Sequence, residues 1–364
     1  MNRLVSSVGV MLVCIDEPKL ENEVKKMKLE NYIFEKQFPN ESSIHKYVYV
    51  GTGFYIGNNY CVTCRHVIKN KLGVKPEKIL FIRTNEQFTI NFELVCENEK
   101  LDLAVIKLID CPDEIKKKYL RPLWFSKMGE SYDGIEILSC GFPYYSTNFE
   151  KHSLANSIPL FRPVMLHGII SSSMLFRNSD GKYGFDMPTV VDVPYYPGMS
   201  GGPVVMKESG KLIGVATSYD LRPERGENSI DFNSPEGKIT KTTLSYMTNV
   251  GMLLTFLSEN KIPILTGEYA IIGVRNRKEK NEVQIDQIQV RENMGGIFGE
   301  PKFFLREQIF SEIEKGSSFA TAFLKEGKLD KGKYPNIIII DGIKFFRTDK
   351  ERIKEDYLEG IPEF

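Results

Sequence analysis

The sequence has 364 residues, a length typical of two or three domains rather than one. Its hydrophobic content of 41% and charged content of 26% are ordinary for a globular protein and exclude a fibrous or disordered chain. Lysine plus arginine and aspartate plus glutamate number 48 each, so no overall field favours nucleic acid or an anionic membrane as a partner.

The first apolar segment, from Leu4 to Cys14, predicts a buried strand rather than a secretory leader. A leader would carry a small-residue cleavage site after its apolar core, whereas this segment runs directly into Asp16 and Glu17. The charged stretch 21–38 that follows favours a helix or a surface excursion. An apolar run of roughly 18 residues, which a spanning helix needs, occurs nowhere in the sequence, so we expect no membrane segment.

Six cysteines lie within the first 140 residues, which is too sparse for a disulfide framework. This usage predicts a reducing compartment, and we expect the cytoplasm. Cys61 and Cys64 have the spacing of a metal or redox pair, but they lie in a predicted strand, where residues three apart point to opposite faces. We therefore expect no metal and no cofactor.

From Lys46 onwards, short β-type runs alternate with turns rich in glycine, proline and asparagine, a pattern typical of an all-β sandwich or barrel. A helix with one apolar side follows at 251–260. The predicted strands are 47–56, 60–63, 79–83, 88–96, 104–108, 135–140, 164–171, 189–193, 203–206, 212–218 and 244–249.

The segment Gly198-Met199-Ser200-Gly201-Gly202-Pro203 surrounds one hydroxyl with glycines. Glycine adopts backbone conformations that other residues avoid, so two N–H groups can converge on one point, as an oxyanion hole requires. The alternative is a glycine-rich hairpin turn with an incidental serine.

A serine nucleophile needs a base, usually a histidine that a carboxylate orients. Of four histidines, His66 stands at a predicted strand end, whereas His45 and His152 lie in polar loops and His167 in a strand-like run. Asp102 opens an apolar strand, where a carboxylate entering a buried region needs a partner such as an imidazole N–H. Each residue alone is also compatible with a structural role.

Beyond Pro263 the pattern changes to strands at 269–274 and 284–290, a helix at 305–315 and a β unit at 337–346. We predict a small α+β domain there, after a β-rich domain.

Four motifs occur in the order His, Asp, Ser along roughly residues 6–260: Thr52-Gly53-Phe54-Tyr55-Ile56, Val62-Thr63-Cys64-Arg65-His66-Val67-Ile68, Asp102-Leu103-Ala104-Val105 and Pro197-Gly198-Met199-Ser200-Gly201-Gly202-Pro203. Together they resemble the trypsin-like peptidases of the chymotrypsin fold, most of all the bacterial HtrA-like branch. The C-terminal residues 343–349 and 356–363 resemble a small bacterial domain of unknown function.

The resemblance implies that Ser200 is the nucleophile, His66 the general base and Asp102 the carboxylate that orients it. The backbone N–H groups of Gly198 and Ser200 would hold the oxyanion. The primary specificity pocket would lie near Pro194, Thr217, Ser218 and Tyr219. Pro194 offers no carboxylate for a basic substrate side chain, although Asp192 and Asp220 lie nearby in sequence.

One residue departs from the digestive members of the family. Met199 stands where they carry the acid that binds a newly cut N-terminus, so activation by that route is not expected.

The fold expected is mainly β: a chymotrypsin-like double barrel, then an α+β domain. The peptidase domain would span 1–263, with a first barrel at about 45–130, a second at about 131–250 and a closing helix at 251–260. Residues 268–364 would form the accessory domain.

The function expected is that of a serine endopeptidase acting on protein or peptide substrates, with a possible regulatory partner bound through the accessory domain. The alternatives are a catalytically silent binding module that keeps the fold, and a protease that is latent within a larger assembly.

Overall fold

The computed structural model of the chain describes residues 2–14, 16–26, 33–36, 43–70, 73, 75–83, 86–126, 133–143, 163–172, 176–177, 183–184, 189–219, 244–264, 268–279, 282–293, 298–314, 317–325 and 328–364. None of the helices in these ranges is both long and apolar enough to cross a bilayer.

The first barrel is a closed sheet of six strands. Their order is β1-β5-β6-β7-β4-β3, and the antiparallel pairing of β1 with β3 closes the circle, while β2 extends the outer edge of β3. The predicted bounds of about 45–130 leave out β1, whose apolar side chains are buried. The strands are β1 Val8–Cys14, β2 Ile33–Lys36, β3 His45–Gly57, β4 Tyr60–Cys64, β5 Lys78–Arg83, β6 Glu86–Asn98 and β7 Leu103–Leu108.

The second barrel closes in the order β12-β15-β14-β13-β8-β9, and β10 and β11 form a separate hairpin. Each predicted strand of this region is present within one or two residues of its predicted ends. The strands are β8 Glu136–Gly141, β9 Val164–Ser172, β10 Phe176–Arg177, β11 Tyr183–Gly184, β12 Thr189–Asp192, β13 Pro203–Met206, β14 Leu212–Tyr219 and β15 Leu244–Asn249.

The described part of the chain up to residue 264 contains five helices beside the barrel strands: α1 Asn2–Ser7, α2 Pro18–Lys26, α3 Arg65–Ile68, α4 Asp113–Tyr119 and α5 Val250–Glu259. The side chain of Asn249 caps α5 by accepting a hydrogen bond from the Met252 N–H at 3.0 Å. Leu253, Phe256 and Leu257 of α5 belong to a hydrophobic cluster that holds the core of the first barrel together with Leu212 and Val215 of the second. The helix therefore packs where the two barrels meet.

The C-terminal region is a mixed sheet with a helix. The order is β18-β17-β16-β19-β20, with β16 and β19 parallel. A hairpin of β21 and β22 turns at Asp341 and Gly342, whose φ values of 49° and 79° fit a type I′ turn. The elements are β16 Tyr269–Glu279, β17 Glu282–Asn293, β18 Phe298–Leu305, α6 Arg306–Glu314, β19 Phe319–Lys325, β20 Lys328–Lys331, β21 Asn336–Ile340 and β22 Ile343–Arg347.

A buried carboxylate fastens the hairpin to the sheet. Asp356 has a fully buried side chain that accepts hydrogen bonds from the Ile285 N–H at 2.6 Å and the Phe346 N–H at 2.7 Å. The guanidinium of Arg306 pairs with the same carboxylate. The predicted fold class is confirmed: mainly β, with two closed six-stranded barrels followed by a mixed sheet.

Candidate active site

The glycine-rich loop lies between Pro197 and β13, on the side of the second barrel that faces the first. Gly198 and Gly201 have φ values of 95° and 85°, in the region that glycine adopts without strain. A Cβ on Gly201 would lie 2.1 Å from the Thr52 carbonyl oxygen. Only a glycine permits this approach of the loop to β3, so the glycine at 201 is required by the contact between the loop and the first barrel.

Thr52 of β3 fixes the loop from the first barrel. Its N–H donates to the Ser200 carbonyl at 2.9 Å, and its hydroxyl donates to the Gly198 carbonyl at 2.7 Å. The same hydroxyl accepts from the Phe142 N–H at 3.1 Å, and Thr52 is fully buried. Because a buried polar group is costly to leave without a partner, these bonds set the orientation of the peptide that follows Gly198.

Two N–H groups of the loop stay available. The Met199 N–H donates to Tyr196 and the Gly201 N–H to Ala216. Throughout the described residues, by contrast, no acceptor is found for the N–H groups of Gly198 and Ser200. Two such donors, one on the serine itself and one two residues before it, can converge on an oxyanion and stabilise it.

His66 and Asp102 lie in direct contact. His66 is in the short helix α3, and Asp102 immediately precedes β7, the antiparallel neighbour of β4. The Asp102 carboxylate approaches the His66 ring with Oδ2 2.6 Å from Nδ1, and it also accepts the His66 backbone N–H on Oδ1 at 3.0 Å. Asp102 itself has a φ of 52°, and its carbonyl accepts from the Arg65 N–H at 3.0 Å. The backbone of Arg65 and His66 therefore holds Asp102 in place, and the Asp102 carboxylate in turn orients the His66 ring.

This contact selects one form of the histidine. A carboxylate accepts hydrogen bonds, so the proton of neutral His66 lies on Nδ1 and Nε2 is left as the acceptor. The His66 side chain is 49% exposed, so Nε2 can be reached from solvent. The Ser200 hydroxyl is turned elsewhere, donating to the Thr217 carbonyl at 3.2 Å.

A metal could only be held here with difficulty. Cys64, His66 and Asp102 place ligand atoms within 4.8 Å of one another. However, the Cys64 thiol is fully buried and donates to the Ala216 carbonyl at 3.3 Å. Burial raises the pKa of this thiol well above its ordinary value, which disfavours the thiolate that a metal needs.

Residues 51–215 match the family described as the trypsin-like peptidase domain. The chain contains a trypsin-like peptidase domain. The match begins within β3 and ends within β14, so β1 and β15, which complete the two barrels of the peptidase domain, are added by the structure. A comparison with curated proteins gives no match.

The residues predicted for the specificity pocket of the peptidase domain follow β12 or lie in β14, the two strands that flank β15. Pro194 is half-buried and Thr217 is buried, with its hydroxyl donating to the Tyr246 carbonyl at 3.2 Å. Ser218 and Tyr219 continue β14, opposite Tyr246 and Ser245. Among the neighbouring acids, Asp192 is exposed and Asp220 lies outside the described residues.

Met199 is fully buried in the core of the second barrel, where it packs with Val193, Tyr195 and Ile213. An apolar side chain here takes part in packing and offers no charge to bind an amino terminus.

Thr52 makes a contact that the sequence does not indicate. The threonine lies in one of the motifs that carry the family resemblance, but nothing in the sequence shows that its hydroxyl meets a loop 146 residues away. His45 and His167, the other two described histidines, lie away from Ser200 and pair with Asp16 and Glu136 respectively. His152 lies outside the described residues.

Proposed function

We propose that the chain is a serine endopeptidase that cleaves protein or peptide substrates through Ser200, His66 and Asp102. The observation that carries the proposal is the assembly of one site from both barrels. The His66–Asp102 pair comes from the first barrel, and the loop that Thr52 fixes comes from the second.

The chemistry follows from these positions. Ser200 Oγ attacks the scissile carbonyl carbon and transfers its proton to His66 Nε2, while Asp102 stabilises the imidazolium that forms. The oxyanion is received by the N–H groups of Gly198 and Ser200, and one such donor contributes about 3–4 kcal/mol in the transition state. His66 then protonates the leaving amine, and water releases the acyl group from Ser200 by the same steps in reverse.

Labelling with a fluorophosphonate, followed by peptide mapping, tests the assignment. We expect wild-type protein to be modified at Ser200 and the Ser200→Ala variant to be neither labelled nor able to cleave peptides. Ser258→Ala is the matched control, since Ser258 is exposed on α5. Labelling that persists at another residue in Ser200→Ala would contradict the proposal.

A latent protease is the second candidate, and the direction of the Ser200 hydroxyl favours it. Bonded to the Thr217 carbonyl, Oγ cannot at the same time give its proton to His66. A binding partner or assembly that turned Ser200 towards His66 would switch the site on. If the labelling rate is the same for the isolated chain and for the chain in its assembly, latency is wrong.

We further propose that residues 268–364 regulate the peptidase domain. Glu268 forms an ion pair with Lys211, and the two side chains are only 7% and 11% exposed. Lys211 directly precedes β14, the strand whose Ala216 and Thr217 carbonyls accept hydrogen bonds from the glycine-rich loop 198–203. The accessory domain is therefore connected to Ser200 through the Glu268–Lys211 ion pair and β14.

The regulatory role predicts that Glu268→Gln changes the rate of fluorophosphonate labelling. Glu292→Gln is the control, because it removes the more exposed Lys302–Glu292 pair within the accessory domain. Equal labelling rates in wild type and Glu268→Gln would contradict it. The HtrA-like branch and the cytoplasm stay proposals that rest on the motifs and on the cysteine usage.

A further inference from the structure

A second group of reactive side chains lies at the far end of β3 from Thr52. Cys14 ends β1, His45 begins β3, and Asp16 lies two residues beyond Cys14. Their ligand atoms all lie within 4.8 Å of one another.

The strand register explains why these three side chains meet. β1 and β3 are antiparallel with Cys14 opposite Tyr47, so continuing the same register places Asp16 opposite His45. Side chains two residues apart on a strand share a face. Cys14, Asp16 and His45 therefore project from one face of the same pair of strands, and the contact between the His45 ring and the Asp16 carboxylate follows from this placement.

We propose that Cys14, Asp16 and His45 form a zinc site of three protein ligands, the thiolate sulfur, a carboxylate oxygen and the imidazole Nδ1. Zinc selects sulfur, nitrogen and carboxylate oxygen, and in a tetrahedral site neighbouring ligand atoms lie about 3.3–3.6 Å apart. The ligand atoms of the three groups lie within 4.8 Å of one another, and zinc binding would draw them to this spacing. A water molecule or a fourth group takes the remaining position.

Neighbouring groups already orient two of the ligands. Ser43 Oγ lies 2.8 Å from His45 Nε2, the ring nitrogen that faces away from the cluster. With zinc on Nδ1, Nε2 carries the proton and donates to this hydroxyl, the outer partner that ligating histidines require. The Lys46 N–H donates to Asp16 Oδ1 at 2.7 Å, which leaves Oδ2 directed at the cluster.

The site is also open to an ion. The Asp16 and His45 side chains are 43% and 32% exposed, and Cys14 is half-buried. This separates it from the Cys64, His66 and Asp102 group, whose sulfur is fully buried. Burial raises the pKa of both thiols, but only that of Cys64 is raised well above its ordinary value. Zinc binding would join the end of β1 to the start of β3 and would fix the entry to α2.

The test uses the full chain, freed of metal by chelation and titrated with Zn²⁺ against a chromophoric chelator, and separately with Co²⁺. We expect one ion per chain and a sulfur-to-cobalt charge-transfer absorption. Cys14→Ser should abolish that absorption, and Asp16→Asn should weaken zinc binding at least about 10-fold, as should Ser43→Ala through the outer shell. Far-ultraviolet circular dichroism of each variant checks that it is folded.

Two control variants locate the ion. Cys96→Ser removes the other half-buried thiol, and His66→Ala removes the ring of the neighbouring group; both should bind as wild type does. The proposal is overturned if wild type binds no zinc, if the cobalt absorption survives in Cys14→Ser, or if binding is lost in His66→Ala but kept in Asp16→Asn. A folded Asp16→Asn with wild-type affinity overturns it as well.

Discussion

Replacing Thr52 by valine tests whether the first barrel holds the glycine-rich loop 198–203 in shape. Valine keeps the volume of threonine but removes the hydroxyl that bonds Gly198 and Phe142. A carbonyl and an N–H are then left buried without a partner, and each costs about 1–3 kcal/mol. We expect Thr52→Val to lower the free energy of unfolding by about 3 kcal/mol, since the loop relaxes in part.

The same change should also lower the reactivity of Ser200. Without the Thr52 hydroxyl, the peptide after Gly198 can rotate and withdraw one oxyanion donor, a loss of about 100-fold in rate. Thr52→Ser is the control, because it keeps the hydroxyl and loses one methyl group, which costs about 1 kcal/mol.

Two measurements check this prediction. The fluorophosphonate labelling rate reports on the loop, and urea unfolding followed by tryptophan fluorescence reports on the peptidase domain. Trp124 is the only tryptophan of the sequence, and it is buried beside β14, where its carbonyl accepts the Leu212 N–H. If Thr52→Val labels as fast as Thr52→Ser with an unchanged Trp124 transition, the Thr52 hydroxyl does not hold the glycine-rich loop in shape.

Three further predictions address other parts of the molecule. Asp102→Asn keeps the shape of the carboxylate but favours the wrong tautomer of His66, so peptide cleavage should fall by about 10⁴-fold with stability little changed; a small loss in kcat would refute the assigned role. Gly201→Ala should cost about 3 kcal/mol or more because its Cβ would overlap the Thr52 carbonyl, whereas Gly210→Ala, also at positive φ but with open space around it, should cost about 1–2 kcal/mol; equal losses in the Trp124 transition would count against the packing argument. Asp356→Ala should destabilise the accessory domain by about 3–5 kcal/mol, measured by circular dichroism, and leave the Trp124 transition at its wild-type midpoint; a common shift would show that the domains unfold together.

The sequence predicted the strands of both barrels because each is a short apolar run bounded by turn residues. The two-barrel architecture itself came from the family resemblance, since periodicity does not specify which strands pair. The use of β1 to close the first barrel could not be derived for the same reason. In the accessory domain β18, β19 and β20 were missed. The helix predicted from Leu305 begins one residue later, since Leu305 pairs with Gln287 in β18.

The residues of the candidate site could be predicted only in part. His66, Asp102 and the glycine loop could be found because the chemistry demands those residue types. Thr52 could not, because its role depends on a contact between two barrels. The direction of the Ser200 hydroxyl is also a matter of side-chain rotation, which no motif encodes. The roles of Ser200, His66 and Asp102 stay predictions until the variants are measured.

The division of the site between two barrels has a consequence for the protein while it is being made. His66 and Asp102 leave the ribosome well before Ser200, and the second barrel cannot close until Leu244–Asn249 has also emerged. The clamp from Thr52 to the glycine-rich loop forms only when both barrels are folded and docked. A chain that ends before Asn249 therefore lacks the clamped loop, so the proposed site of His66, Asp102 and Ser200 cannot be complete until both barrels have been made.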